Sequence, residues 1–237
     1  MSRRLLPWLA ALLLAGCAQA PPPVMPMPAP DADWQAAFLA LRGRSGGRLY
    51  EFDAAASRVA IYVFRGGRAA RLGHNHVLAA PRWQGWLWWP DDLAQARLAL
   101  RLRLDDLQLD DPAQRAATGG AFATPLAPEA IAATRANMLG PRGLDAARFP
   151  ELGLRLLSVV GEPPRLAARI EVDLHGQARA LDVPLSLAEA ADGTLQIAGA
   201  FVLRQRDFGL EPYSLLNGLL AVQDELLVEF SLQARRR

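Results

Sequence analysis

Leu98, Leu100, Leu102 and Leu104 recur at every second position, interleaved with Ala99, Arg101 and Arg103 and flanked by Arg97 and Asp105. Neighbouring side chains on a strand point to opposite faces, so this spacing makes one greasy face and one wet face. The pattern returns along the chain. Leu166, Ala168, Ile170, Val172 and Leu174 face away from Arg169, Glu171 and Asp173; Leu195, Ile197, Phe201 and Leu203 form another row, and Leu226, Val228, Phe230 and Leu232 a last one. Half-polar strands separated by turn signals such as Glu162-Pro163-Pro164 and Asp192-Gly193 predict an antiparallel sheet, with no room for crossover helices. The rows add up to about eight strands, a number that closes into a barrel wide enough for side chains or one slender ligand. Closure also removes the exposed edges that such apolar strands would otherwise offer to neighbours.

Two segments depart from the period of two. Pro128 to Leu139 places Ala130, Ile131, Thr134 and Met138 at helical steps and stops at Gly140-Pro141, which predicts the one internal helix. Asp33 is placed to cap a short helix over Trp34 to Leu41, before Gly43 to Gly47 breaks the pattern. Ser57 to Arg65 is apolar on both faces, Val59, Ile61 and Val63 opposing Ala60, Tyr62 and Phe64, so the internal helix is expected to cover its outer side.

The N-terminus reads as an address. Ser2-Arg3-Arg4 is a basic start and Leu5 to Leu14 an apolar run too short to span a bilayer as a mature helix, so residues 1–16 read as a secretory leader. Its end, Leu14-Ala15-Gly16-Cys17, resembles the bacterial lipobox, which implies lipidation of Cys17. That is the single cysteine, so no intramolecular disulfide can form. Ala18 stands where an aspartate would resemble an inner-membrane retention signal, and the implied address is the periplasmic face of the outer membrane. QAPPPVMPMPAP then runs as an extended tether. The expected organisation is leader 1–16, lipid-anchored tether with its short helix 17–47, and barrel 48–237.

Composition excludes several classes. All 26 basic residues are arginine, which removes lysine Schiff-base chemistry and the P-loop lysine. The formal charge of +2 falls to about zero once Arg3 and Arg4 are removed, and no basic face with interleaved aromatics remains to grip nucleic acid. No GxSxG elbow occurs and the one cysteine is claimed by the lipobox, so an enzyme is not expected.

His74 and His76, in RLGHNHVLAA, are two of the 3 histidines. Residues two apart on a strand share a face, so the pair is a candidate for one metal ion or one polar head group, with Asn75 opposite. The third, His175, lies in a hairpin turn, and about three or four ligands are needed for a zinc site. A structural role at the rim is the third reading. Trp86 and Trp88 share a face in PRWQGWLWWP and are candidates for a cavity mouth, with core or edge packing as the alternative. Asp105-Asp106 and Asp110-Asp111 precede Pro112 and read as a solvated turn. The inward rows either fill the barrel or line a cavity.

The run from Leu49 to Ala234 resembles the YceI-like, polyisoprenoid-binding, lipocalin-like family. LYEFDAAASRVAIYV is similar to its opening strands, LDAARFPELGLRLLSV to its Phe-Pro segment after the helix, and ARIEVDLHGQARALDVPL to its central hairpin. FVLRQRDFGLEP resembles its Asp-Phe-Gly element and GLLAVQDELLVEFSLQA its closing strand. The resemblance implies an all-β, eight-stranded lipocalin-like barrel whose elongated apolar cavity holds a long-chain amphiphile, such as an isoprenoid or quinone. Val59, Ile61, Leu100, Leu102, Ile170 and Phe201 are then expected against the chain, with His74, His76, Trp86 and Trp88 towards the head group. Two departures stand out: Gln205 where many members carry an arginine, and a histidine pair where one histidine is common. The alternatives are a metal-binding or redox accessory protein using His74 and His76, and a structural lipoprotein with a filled barrel. The expected partners are an apolar or amphiphilic small molecule and, through the anchor, a membrane.

Overall fold

The computed structural model describes residues 33–237; the leader, Cys17 and the proline-rich run up to residue 32 lie outside the described residues. The expected short helix is present as α1 (Trp34–Leu39), with the Asp33 side chain accepting from the Ala36 N–H. Strands β1 (Gly47–Phe52), β2 (Arg58–Gly66), β3 (His76–Ala79), β4 (Gln84–Pro90), β5 (Arg97–Arg103) and β6 (Gln108–Leu109) follow. Helices α2 (Pro112–Thr118) and α3 (Pro128–Leu139) come next. The chain continues with β7 (Glu151–Glu162), β8 (Arg165–Leu174), β9 (Gln177–Glu189), β10 (Leu195–Arg204), the short β11 (Ser214–Leu215) and the long β12 (Leu220–Arg236).

All pairings are antiparallel, and they close an eight-stranded ring. Three members of the ring are broken strands. β1 and β2 run along the same side of β12, as Phe52↔Ala234 and Val59↔Phe230 show. β4 pairs with β1 and β3 with β2, so β3 and β4 form a second broken strand. β5 pairs with β4 and β6 with β3, which makes a third. The breaks, at residues 53–57, 80–83 and 104–107, lie side by side and crease one wall of the barrel. The opposite wall, β7-β8-β9-β10-β12, is built from longer, unsplit strands, joined in part by tight turns at Pro163-Pro164 and His175-Gly176. The latter turn has φ of +54° and +69°, the left-handed pair that matches strand twist in a two-residue hairpin.

The inward rows are those the alternation predicts. In β8, Leu166, Ala168, Ile170, Val172 and Leu174 are buried, while Arg165, Ala167, Arg169 and Asp173 are exposed. α3 spans the residues expected of the internal helix. It does not cover the outer face of β2. There Tyr62 and Phe64 meet Phe122, with ring centroids 5.6 and 5.9 Å apart, and Phe122 lies just beyond α2. α2 itself is a second internal helix that the alternation does not reveal: Asp111 caps it by accepting from the Gln114 N–H, and Pro112 occupies its first turn.

Candidate ligand cavity

The inward rows do not fill the barrel. They enclose a cavity of about 410 Å³ whose lining is overwhelmingly apolar. Val59, Ile61, Leu100, Leu102, Ile170 and Phe201 all line it. Register explains why they converge: Ile61 pairs with Val228, Leu100 with Leu154, Leu156 with Ile170 and Phe201 with Val228, so apolar residues stack in rings around the axis.

The tryptophans divide otherwise than expected. Leu87 and Trp89 line the cavity, so Trp86 and Trp88 point outward, where they are buried with Trp34, Phe38, Leu41, Leu49 and Ala99 beneath α1. Both faces of β4 are apolar because one meets the cavity and the other a helix, so composition alone could not set its phase. Trp83, at the crease, does line the cavity and packs against Phe52 at 5.6 Å. Its indole Nε1 has no hydrogen-bond partner among the described residues.

Residues that both line the cavity and reach solvent mark its mouth. Asn137, Arg142, Glu211 and Tyr213 do so, with half-buried Thr134 and Gln205 beside them. α3 is held over this end by Arg135, which donates to the Leu107 and Asp105 carbonyls at 2.6 and 2.7 Å. Asn137 Nδ2 donates to the Tyr213 hydroxyl at 3.5 Å, and Gln205 Nε2 to the Gln223 carbonyl at 2.8 Å. Arg204 and Arg206, the arginines flanking Gln205, face solvent and pair with Glu225 and Asp224.

His76 is the one histidine in the lining. Its Nδ1 lies 2.6 Å from Asp110 Oδ2. Asp110 is wholly buried, contrary to its expected place in a solvated turn, and its φ of +54° is a left-handed conformation that aspartate tolerates. Its backbone N–H donates to the Val77 carbonyl, and Oδ1 accepts from the Val77 N–H at 3.0 Å and from Arg115 Nη1 at 2.5 Å. Arg115, also buried, donates further to the carbonyls of Asn75 and Thr124. Burial alone would push the Asp110 carboxyl up, but the hydrogen bonds from His76, the Val77 N–H and Arg115 together hold it below its ordinary value.

His74 lies before β3 and is exposed, so the two histidines do not share a strand face. Asn75, between them, is buried and accepts from the Arg65 N–H through Oδ1. The chain reaches His76 through that anchored loop and not as a continuous strand, which is why the two-residue rule fails here. His175 faces the Phe208 carbonyl at 3.2 Å in its hairpin. Among the described residues no group of three or more His, Cys, Asp or Glu side chains is placed to hold a metal ion. Asp110 and Arg115 are the polar residues that sequence reasoning missed. The available signal was Asp111-Pro112, a helix start that aims Arg115 back at the preceding aspartate.

No family model and no curated protein matches the sequence. Solved structures do. The crystal structure of Burkholderia cenocepacia BcnA superposes with a TM-score of 0.55 at 13% identity, over 78% of this chain and 99% of that one. A polyisoprenoid binding domain from Saccharophagus degradans, implicated in plant cell wall breakdown, gives 0.54 at 14% identity, over 79% and 98%. A variant of the Campylobacter jejuni YCEI protein gives 0.50 at 7% identity, over 68% and 84%. At these identities the shared property is the fold: the chain has the barrel of the YceI and polyisoprenoid-binding proteins.

Proposed function

We propose that this protein is a carrier that holds a long-chain amphiphile, of isoprenoid or quinone type, inside the barrel. The observation that carries this reading is the apolar cavity of about 410 Å³, with exposed polar residues at its mouth. Its volume lies in the usual range of small-molecule sites, roughly 300–1,000 Å³. Each methylene buried against the leucine, valine and phenylalanine rows would contribute about 0.8 kcal/mol. The polar residues at the mouth would keep the head group wet. A neighbour described as a polyisoprenoid binding domain supports the choice of chain. The cavity argues against the filled-barrel alternative. A binding role is favoured over catalysis because the described hydrogen bonds give His76 an aspartate partner but no serine, threonine or cysteine to activate.

The location proposed with it is the periplasmic face of the outer membrane, through lipidation of Cys17. This rests on the leader and lipobox-like residues 1–17 of the sequence.

Native mass spectrometry of the chain purified from a bacterial envelope, followed by organic extraction, tests the carrier reading. A mass increment that extracts as a long-chain lipid is expected. An increment of one metal ion, or no increment after exposure to polyprenols and quinones, would overturn it.

A further inference from the structure

The mouth of the cavity carries information about the head group. Arg142 and Glu211 are the charged side chains in the lining, one of each sign, and the remaining polar members at the mouth, Thr134, Asn137, Gln205 and Tyr213, are uncharged. A diphosphate needs several converging cations, and the lining supplies one guanidinium and one carboxylate. The other cations near this end are committed elsewhere: Arg115 is buried on Asp110 and the Asn75 and Thr124 carbonyls, Arg135 donates to the Leu107 and Asp105 carbonyls, and Arg204 and Arg206 pair with Glu225 and Asp224.

His76 adds a directional constraint. An ionised carboxylate only accepts hydrogen bonds, so the 2.6 Å contact with Asp110 Oδ2 requires the proton on His76 Nδ1. Arg115 and the Val77 N–H occupy the other oxygen of Asp110, which leaves its carboxylate no freedom to turn away. In the neutral imidazole, Nε2 is then a bare acceptor, and the described hydrogen bond of this ring is made by Nδ1 alone. His76 lines the cavity while Asp110 does not, so the ring edge left to face the ligand is the one that carries Nε2.

From this geometry, and resting on the carrier reading above, we infer that His76 Nε2 selects a head group that donates a hydrogen bond. An alcohol, phenol or hydroquinone at the end of the chain is preferred over the corresponding ether, quinone or phosphate ester. Asp110 is the positioning residue, acting through the tautomer it imposes.

The test is a competition at pH 8 between geranylgeraniol, its methyl ether and its diphosphate. The three are presented together at equal concentration to the full chain, and the bound populations are read by native mass spectrometry. The alcohol is expected to exceed the ether by about five- to tenfold, the worth of one hydrogen bond, and the diphosphate by more. His76→Phe is expected to bind the chain while losing the alcohol-over-ether preference. Asp110→Asn offers Nδ1 an amide donor in place of the carboxylate, favours the proton on Nε2, and is expected to abolish the preference, since alcohol and ether oxygens both accept from an N–H. Should that variant not fold, His76→Phe alone decides. Equal alcohol and ether populations in the unaltered chain, or an alcohol preference that survives His76→Phe, would overturn this inference and leave the carrier reading standing. A dominant diphosphate population would do the same. Adducts from none of the three would overturn both.

Discussion

The barrel has a smooth wall and a creased one, and they do different work. The smooth wall, β7 to β10 with β12, turns aliphatic and aromatic side chains inward and carries its arginines and acids outside, paired as Arg155–Glu171 or Arg169–Asp182. The creased wall, β1 to β6, also lines the cavity with leucine and valine, but at its ends and breaks it admits His76 and Trp83 and buries Asp110 and Arg115 behind them. Regular pairing consumes every backbone group and leaves a polar side chain nothing to bond. An interrupted strand frees backbone groups that a buried ion can use, as the Asp110 carboxylate uses the N–H of Val77. Polar chemistry is therefore affordable where the sheet is irregular.

The largest effect that could break this contrast is at Asp110. Asp110→Ala strands the buried Arg115 guanidinium and is expected to cost about 3–5 kcal/mol, read as a lowered urea midpoint. The same group has an acid signature. Its carboxyl is held below the ordinary 3.8, so its stabilisation is complete above that value and fades as pH falls through the lower folded value. The stability gap between the unaltered chain and Asp110→Asn should accordingly be constant at neutral pH and narrow only in strong acid. Next comes the outer surface of the creased wall. Trp88→Ala is expected to loosen α1 and cost about 3 kcal/mol, yet leave the range of ligands bound unchanged, because Trp88 lies outside the cavity. On the smooth wall, Ile170→Ala should cost about 2 kcal/mol, the low end for such truncations, since its side chain already borders open space. It should also admit bulkier chains, visible as heavier adducts. The smallest change is at the crease itself. Trp83→Phe removes an indole N–H that has no partner among the described residues, which offsets the lost packing, so stability should move by no more than about 0.5 kcal/mol.

The smooth wall was also the part most open to reading from sequence. Its rows at Leu166–Leu174, Leu195–Leu203 and Leu226–Leu232 alternate because one side meets the cavity and the other meets water. The creased wall defeats that logic in two ways. Trp86 and Trp88 lie on a strand whose two faces are both covered, so polarity gives no phase. His74, Asn75 and Asp110 sit where the chain leaves the strand, and their positions depend on partners distant in sequence: Asp110 meets Val77 and His76, and Asn75 meets Arg65 and Arg115. Leu100, Leu102, Ile170 and Phe201 follow from periodicity and line the cavity, and Val59, Ile61 and His76 join them. His74, Trp86 and Trp88 do not: His74 lies in the loop before β3, and the tryptophans required knowing what packs on the far side of β4.

The pairing of the first strands with the last has a bearing on how the molecule comes into being. The Gln233 N–H donates to the Ser57 hydroxyl across 176 positions of chain, and β12 closes the ring by pairing with β1 and β2. The hairpins of the smooth wall can form early from neighbours in sequence, whereas the seam must wait for β12. Contacts of such separation make for slow folding, since loop-closure entropy is spent before they form. A nascent chain thus exposes its greasy rows until β12 has been made, and the cavity comes into existence only once that strand pairs.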